Sequence, residues 1–448
     1  MASAAETGNP SPPRASVENE GALAPKYHWY RGVFFQATVV GVAAFTAPGL
    51  WNAMNSVGAG GQQSPYLVMQ VLFLEHKFIV ANRVGLKATF AFGTLGYVIY
   101  SAALYTNNRY GNEWFIYVGS AACGITAGLF WAAEGAIMLS YPEADNRGKY
   151  LAYWLCYRNS GSILGGIINL AFNHQGRRTG KLDWRTYIVF VVLQKVIRRN
   201  GTRVQIAERI SDSAELRELG RLMLRKEFLL VAPFFVYVNW ILPYSSSYLS
   251  LYFSIRSRAL ASLVSALAQI AGTVMLGSFL DWKRLSLNTR ARVSYVFLMA
   301  LIGGCWVWGA VIQAEYVNHK PSLDWDEAGF GRGWALYIMW QVNFALTYNY
   351  GYWLVGWMSQ HPNDIVRYTS AARALESAGQ CISSGISSTS APLTAALGIN
   401  FALWGIAVFP AYFVVRQVGL RHVGAHAQEN TFNAEDQDRE TGRAKDDQ

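Results

Sequence analysis

The run WFIYVGSAACGITAGLFWAAEGAIMLS (Trp114–Ser140), the connector YPEADNRGK (Tyr141–Lys149) and the run YLAYWLCYRNSGSILGGIINLAF (Tyr150–Phe172) decide how this chain folds. Each run exceeds the ~20 mostly apolar residues that cross a bilayer as a helix. The connector holds the proline and most of the charge, so the pair reads as two membrane helices joined by a short polar loop. Glu134 and Arg158 interrupt the runs, and an ionisable group inside hydrocarbon is expensive enough to mark function.

Working outward, the same pattern fills the chain. Further apolar runs of helical length lie near Gly32–Met54, Leu86–Tyr105, Phe228–Leu249, Ala259–Leu280, Val293–Ile312, Trp334–Met358, Thr369–Ala396 and Ile399–Val418, which makes ten clear spans. Of 448 residues 52% are apolar and 15% charged, against ~25% charged in soluble domains. That composition excludes a secreted disulfide scaffold, a disordered chain and an ordinary soluble enzyme. Aromatic residues make up 14%, consistent with rings at membrane interfaces.

Two weaker stretches complete the count. Leu67–Ala81 is interrupted by Glu75, His76 and Lys77, and Tyr187–Gln194 stops at Lys195. Eight helical residues rise only ~12 Å, against ~30 Å of hydrocarbon. Counting both as crossings gives twelve, and then 26 basic residues fall in cytoplasmic segments against nine in outer loops if the N-terminus is inside. The excess predicts cytoplasmic N- and C-termini. The outer loop with Arg177, Arg178, Lys181 and Arg185 is a local exception.

The predicted organisation is a disordered cytoplasmic tail (1–28), an N-terminal six-helix bundle (29–194), a basic cytoplasmic central loop (195–227), a C-terminal six-helix bundle (228–418) and a disordered cytoplasmic tail (419–448). Within the central loop, Asp212 and Glu215 have capping-box spacing and Ala214, Leu219, Leu222 and Met223 recur at helical intervals, predicting a short surface helix. It reads as a linker or as a helix that binds calmodulin or lipid. Asn200-Gly201-Thr202 matches a glycosylation acceptor, but on this topology it faces the cytoplasm and stays unmodified.

Six spans, a basic central loop and six more spans are the pattern of the major facilitator superfamily. The string GSFLDWKRLSLNTRAR (Gly277–Arg292) resembles that superfamily's G-x-x-x-D-R/K loop motif, and ANRVGLK (Ala81–Lys87) resembles a degenerate copy. Gly277 permits close helix approach. Asp281, with Lys283 and Arg284 beside it, can latch one conformation at a helix end. A plain basic inside loop is the alternative.

Longer strings narrow the resemblance: WNAMNSVGAGGQQSPYLV (Trp51–Val68), YTNNRYGNEWF (Tyr105–Phe115), CGITAGLFWAAEGAIMLSYPE (Cys123–Glu143), RGKYLAYWLCYRNSGSILGGIINL (Arg147–Leu170) and SAGQCISSGI (Ser377–Ile386). Together they resemble fungal members of the Unc-ninety-three-like family within that superfamily, from about Tyr30 to Val418. The resemblance implies an all-α polytopic bundle of 6+6 transmembrane helices. This chain departs from the family's pattern in its second and sixth helices, both of which read as truncated. Either an altered gene model or two broken helices accounts for that.

Within this frame the candidate transport residues are Glu134, Arg158, Asn159, Arg373, Glu376 and Gln380. Glu134 can hold a proton or cation in competition with Arg158, or the two can form a fixed salt bridge. Arg373 and Glu376 are three apart on one helix face, so they satisfy each other or form a substrate site. Ser160, Ser162, Ser383 and Ser384 add polar groups that either line a cavity or bind helices together. Tyr348, Tyr350, Tyr352 and Trp353 either stack on a ligand or pack.

Cys123, Cys156, Cys305 and Cys381 have neither C-x-x-C spacing nor a His partner, so no metal or disulfide is expected. Gly58–Gly61 lacks the context of a dinucleotide loop, and no phosphate loop, H-E-x-x-H or nucleophile elbow occurs. The expectation is therefore a cofactor-free non-enzyme with no nucleic-acid partner. Its partners would be the bilayer, a small solute or ion, and other membrane proteins. The function implied is alternating-access transport. The alternatives are an accessory or trafficking subunit, the known role of the family's animal relatives, and a non-functional truncated chain.

Overall fold

The computed structural model describes residues 32–56, 86–140, 147–173, 183–195, 212–359, 362–387, 389 and 391–420. The N-terminal tail, the C-terminal tail beyond Leu420, the weak second segment at Leu67–Ala81, the Ala81–Gly85 part of the degenerate loop copy, Gly58–Gly61 and Asn200 lie outside those residues.

The chain enters as α1 (Val33–Ala44), widens through a π-turn (Phe45–Gly49) and continues as α2 (Leu50–Ser56). Pro48 explains the π-turn: it has no N–H, and its ring would strike the carbonyl four residues back, at Ala44, where α1 ends. Then come α3 (Leu86–Gly93), α4 (Leu95–Tyr110), α5 (Trp114–Ser140), α6 (Arg147–Asn173) and α7 (Trp184–Lys195). Gly111, at φ 70°, ends α4 by donating its N–H to the Asn107 carbonyl at 2.9 Å.

The central helix α8 runs Asp212–Met223, where the capping-box spacing places it. The second half comprises α9 (Lys226–Val238), α10 (Ile241–Tyr252), α11 (Ile255–Leu280), α12 (Leu287–His319), α13 (Phe330–Met358), α14 (Pro362–Ser387) and α15 (Leu393–Val415). The sequence reads Phe228–Leu249 as one run, but the helix breaks at Asn239–Trp240. Pro243 lies four residues beyond Asn239, whose carbonyl it cannot bond, whereas Pro233 and Pro410 sit inside unbroken helices, so proline alone does not dictate the break. The sequence also places the last connection near Leu397, whereas the structure puts it before Leu393, with Pro392 as the N-cap of α15. Ser254 and Ser286 cap α11 and α12, each accepting a backbone N–H at 3.2 Å.

Six helical segments are both long and apolar enough to cross a membrane: Val33–Met54, Trp114–Trp131, Lys226–Tyr252, Ile255–Leu280, Leu287–His319 and Leu393–Val415. Four expected spans are not among them: three carry polar side chains within the helix and the fourth is divided. Helix α6 carries Arg158 and Asn159, α13 carries Gln341, Asn343 and Asn349, and α14 carries Arg373 and Glu376, all within their helical stretches. The fourth, Leu86–Tyr110, is divided at Thr94, whose hydroxyl bonds the Ala91 carbonyl at 2.9 Å. Helix α7 is a 12-residue apolar helix, about 18 Å long at 1.5 Å per residue.

The halves meet mainly along two helix pairs, α6 with α11 and α5 with α14, with smaller contacts of α2 on α11 and α6 on α13. At the first, Gly166 brings α6 so close that a Cβ there would lie 2.8 Å from the Leu263 Cα. Inside the second half the core is a packed set of rings, in which Trp306 donates to the Tyr237 hydroxyl and Gln313 to the Tyr252 hydroxyl, both at 2.8 Å. Each of these bonds satisfies a buried polar group inside the ring cluster.

Candidate functional site

Four helices, two from each half, bring pairs of side chains to one place. Trp131 and Glu134 are three apart on α5, and Trp154 and Arg158 four apart on α6. Tyr348 and Tyr352 are four apart on α13, and Arg373 and Glu376 three apart on α14. Those spacings keep each pair on one helix face. The two arginines and two glutamates balance in formal charge, as a cluster this far from water requires.

Close backbone packing fixes where α6 lies. A Cβ on Gly161 would meet the Phe45 carbonyl at 2.1 Å, and one on Gly49 the Arg158 carbonyl at 2.6 Å. Ser162 donates to the Gly49 carbonyl at 3.0 Å and Asn169 to the Ala53 carbonyl at 3.1 Å. The π-turn and the two glycines thus hold the Arg158 segment against the first helix.

Glu134 is fully buried, and its Oε1 accepts the Trp154 indole N–H at 2.6 Å. It forms no direct ion pair with Arg158, although both Arg158 and Arg373 are near enough to interact with it through space. Arg158, 7% exposed, stacks over rings instead: its guanidinium carbon is 5.0 Å from the Trp131 ring centre and 5.3 Å from that of Tyr348. Arg373 pairs with Glu376 at 3.0 Å and lies 4.6 to 4.8 Å from the ring centres of Trp131, Tyr348 and Tyr352. The Tyr352 hydroxyl donates to Glu376 at 3.4 Å.

Satisfaction within the cluster is incomplete. Glu134 Oε2, Glu376 Oε1, Arg158 Nε, Arg373 Nε and the Tyr348 hydroxyl are buried with no hydrogen-bond partner among the described residues. Such groups cost ~1–3 kcal/mol each, more when charged. The chemistry on offer is therefore two carboxylate oxygens, two guanidinium N–H groups and a phenol between aromatic walls.

The other expected residues divide. Asn159, 5% exposed, and the half-buried Gln380 flank the cluster along α6 and α14 but hydrogen-bond to none of its members. Ser160 bonds the Cys156 carbonyl at 2.7 Å and Ser383 the Trp240 carbonyl at 2.7 Å, so these hydroxyls serve the backbone. Tyr350 donates to the Ala291 carbonyl at 2.9 Å and packs on Trp353, on the opposite side of α13 from Tyr348 and Tyr352.

Gly277, Asp281, Lys283 and Arg284 form the α11–α12 connection, apart from the cluster. The Asp281 N–H bonds the Gly277 carbonyl at 3.1 Å, Lys283 and Arg284 are exposed, and Arg290 donates to the Leu280 carbonyl. Among the described residues no grouping of His, Cys, Asp and Glu is arranged to hold a metal. Sequence reasoning missed Trp131 and Trp154. The signal was present, since each lies three or four residues before a charge already singled out.

Two helical halves meeting on a buried charged cluster define a multi-pass membrane protein of the major-facilitator fold. Solved structures agree: the fucose:proton symporter FucP of E. coli superposes with TM-score 0.56 at 13% identity over 86% of this chain and 99% of that one. The xylose transporter XylE of E. coli does so with TM-score 0.53 at 12% identity, over 85% and 96%. Identities this low speak for the fold alone.

The family model described as "Ion channel regulatory protein UNC-93" matches residues 66–303. Notoamide biosynthesis cluster protein O' of Aspergillus versicolor is 38% identical over 418 residues, 88% of this chain and 90% of that protein. UNC93-like protein 1 of Arabidopsis thaliana is 27% identical over 428 residues, 88% and 93%. The chain belongs to the UNC-93 family.

Proposed function

We propose that this protein is a secondary transporter whose two halves rock about the charged cluster and expose it alternately to each side of the membrane. One observation carries the reading: Glu134, Arg158, Arg373 and Glu376 come from both halves, and the arginines reach across the boundary between them. Rocking must break those contacts, so whatever neutralises a member of the cluster shifts the balance between states. Glu134 is the switchable charge and Arg158 its partner or the solute's anchor. Asn159 and Gln380 flank the path, and Gly277, Asp281, Lys283 and Arg284 latch one state. The excess of basic residues in the assigned inner segments supports cytoplasmic termini.

The test is flux. Proteoliposomes loaded with a pH-sensitive dye are challenged with sugars, amino acids and organic acids. A solute that drives proton entry in the wild type and not in Glu134→Gln supports the reading, and flux indifferent to both pH and Glu134→Gln defeats it.

The family's description as an ion channel regulator favours a second reading, an accessory subunit of another membrane protein. No flux for any solute, together with a stable channel partner co-purifying in stoichiometric amount, supports it.

A further inference from the structure

Resting on the transporter reading, we infer that the solute recognised by this cluster is a zwitterion of the amino-acid type, with its carboxylate on the Arg158 fork and its ammonium on Glu134 and Glu376. The argument starts from what is left unbonded. Each carboxylate has one buried oxygen engaged by an aromatic donor, Trp154 for Glu134 and Tyr352 for Glu376. The Glu376 oxygen is shared with Arg373, and each carboxylate keeps a second oxygen bare. Both guanidinium groups keep a bare Nε. Acceptors and donors of full charge thus stand unbonded in one buried place among the described residues.

A ligand must answer both signs. With Glu134 ionised the four formal charges cancel, so in that state a monoanion or monocation would bring a net charge into a buried site and leave the opposite-sign groups unbonded. Stranded charge of that kind is strongly unfavourable. A zwitterion satisfies both and adds no net charge. The donor types fit: the planar guanidinium fork matches a carboxylate bidentately. The faces of Trp131 and Tyr348, which now hold the two guanidinium groups, are equally suited to an ammonium. Arg158 has no carboxylate within ion-pairing distance among the described residues, so it is the cation free to take an external one.

The test uses three trios that share a side chain: alanine, propionate and ethylamine; leucine, isocaproate and isoamylamine; phenylalanine, 3-phenylpropanoate and 2-phenylethylamine. Each is titrated against the full-length protein in lipid nanodiscs, with binding read by thermal shift and by competition. The expected result is that at least one amino acid binds tenfold or more tightly than both of its singly charged analogues. In Arg158→Gln that preference should fall to twofold or less. If Arg158→Gln does not fold, the comparison within the wild-type trios decides alone.

An acid or an amine binding as tightly as its amino acid overturns the inference, and so does binding of none of the three amino acids. Flux of some other solute that needs Glu134, without amino-acid binding, overturns this inference and leaves the transporter standing. Selective amino-acid binding without flux supports the inference and overturns the transporter.

Discussion

Arg158 and Arg373, contributed by opposite halves of the protein, face the same two rings. Their guanidinium carbons lie 5.0 and 4.6 Å from the centre of Trp131, and 5.3 and 4.8 Å from that of Tyr348. Trp131 belongs to the first half and Tyr348 to the second, so each arginine holds one ring of its own half and one of the other. Like charges tolerate this proximity because the rings and the two glutamates surround them.

Trp131 is therefore worth more than one contact. With up to ~2 kcal/mol per desolvated cation–π pair, Trp131→Leu should lower stability by about 2–4 kcal/mol in detergent-solubilised unfolding. Tyr348→Phe keeps the ring and loses a hydroxyl that has no partner among the described residues, so it should change stability by less than ~1 kcal/mol. Equal losses for the two would show that the ring of Trp131 carries no special load.

Arg373 and Glu376 should behave as a coupled unit. Removing one member of a buried pair strands the other, which costs ~3–5 kcal/mol, whereas replacing both with apolar residues of similar volume is often close to neutral. Arg373→Met and Glu376→Met should each destabilise strongly, and the double variant should recover most of the loss. A double-mutant cycle on thermal stability measures the coupling, and strict additivity contradicts the pairing.

Gly161 and Gly304 make opposite predictions for the same change. A methyl at Gly161 meets the Phe45 carbonyl at 2.1 Å, and no side chain can move aside to relieve it, so Gly161→Ala should cost ~1–3 kcal/mol and shift α6 off the first helix. Around Gly304 a Cβ meets nothing within 4 Å, so Gly304→Ala should be neutral or gain up to ~1 kcal/mol. Melting curves of the two variants side by side decide it.

Asp324, in the α12–α13 connection, predicts acid sensitivity. Burial alone would push its carboxyl up, but bonds from Ser254, Arg256, Ser257 and the Trp325 N–H outweigh this and hold it below the usual carboxylate range. A group depressed by folding contributes stability above its unfolded value, and that stability is lost as pH falls through the folded value. The melting midpoint should thus be flat from pH 8 to about pH 5 and fall below about pH 4. Asp324→Asn should start lower and lose part of that acid dependence.

Much of this was legible in the sequence, because membrane helices announce themselves by length and apolarity and because buried charges are rare. Glu134, Arg158, Arg373 and Glu376 all stand out for that reason, and the structure brings the four together. Two kinds of feature were not legible. The partners of Glu134 depend on how α5 and α6 turn toward each other, and Trp154 reads in one dimension as one more apolar residue. The break at Asn239 was also hidden, because Pro243 sits inside an unbroken apolar run and prolines in like runs, Pro233 and Pro410, leave their helices intact.

That break has a counterpart. The leading helix of each half is interrupted at the residue four positions before a proline, at Ala44 before Pro48 and at Asn239 before Pro243. Each half therefore begins with an articulated strut of two rods joined end to end, with the hinge inside the span. Bending at such a joint costs fewer hydrogen bonds than bending an intact helix, because the proline has already removed one. The two rods of each strut can therefore change their mutual angle at a lower cost than two halves of one continuous helix.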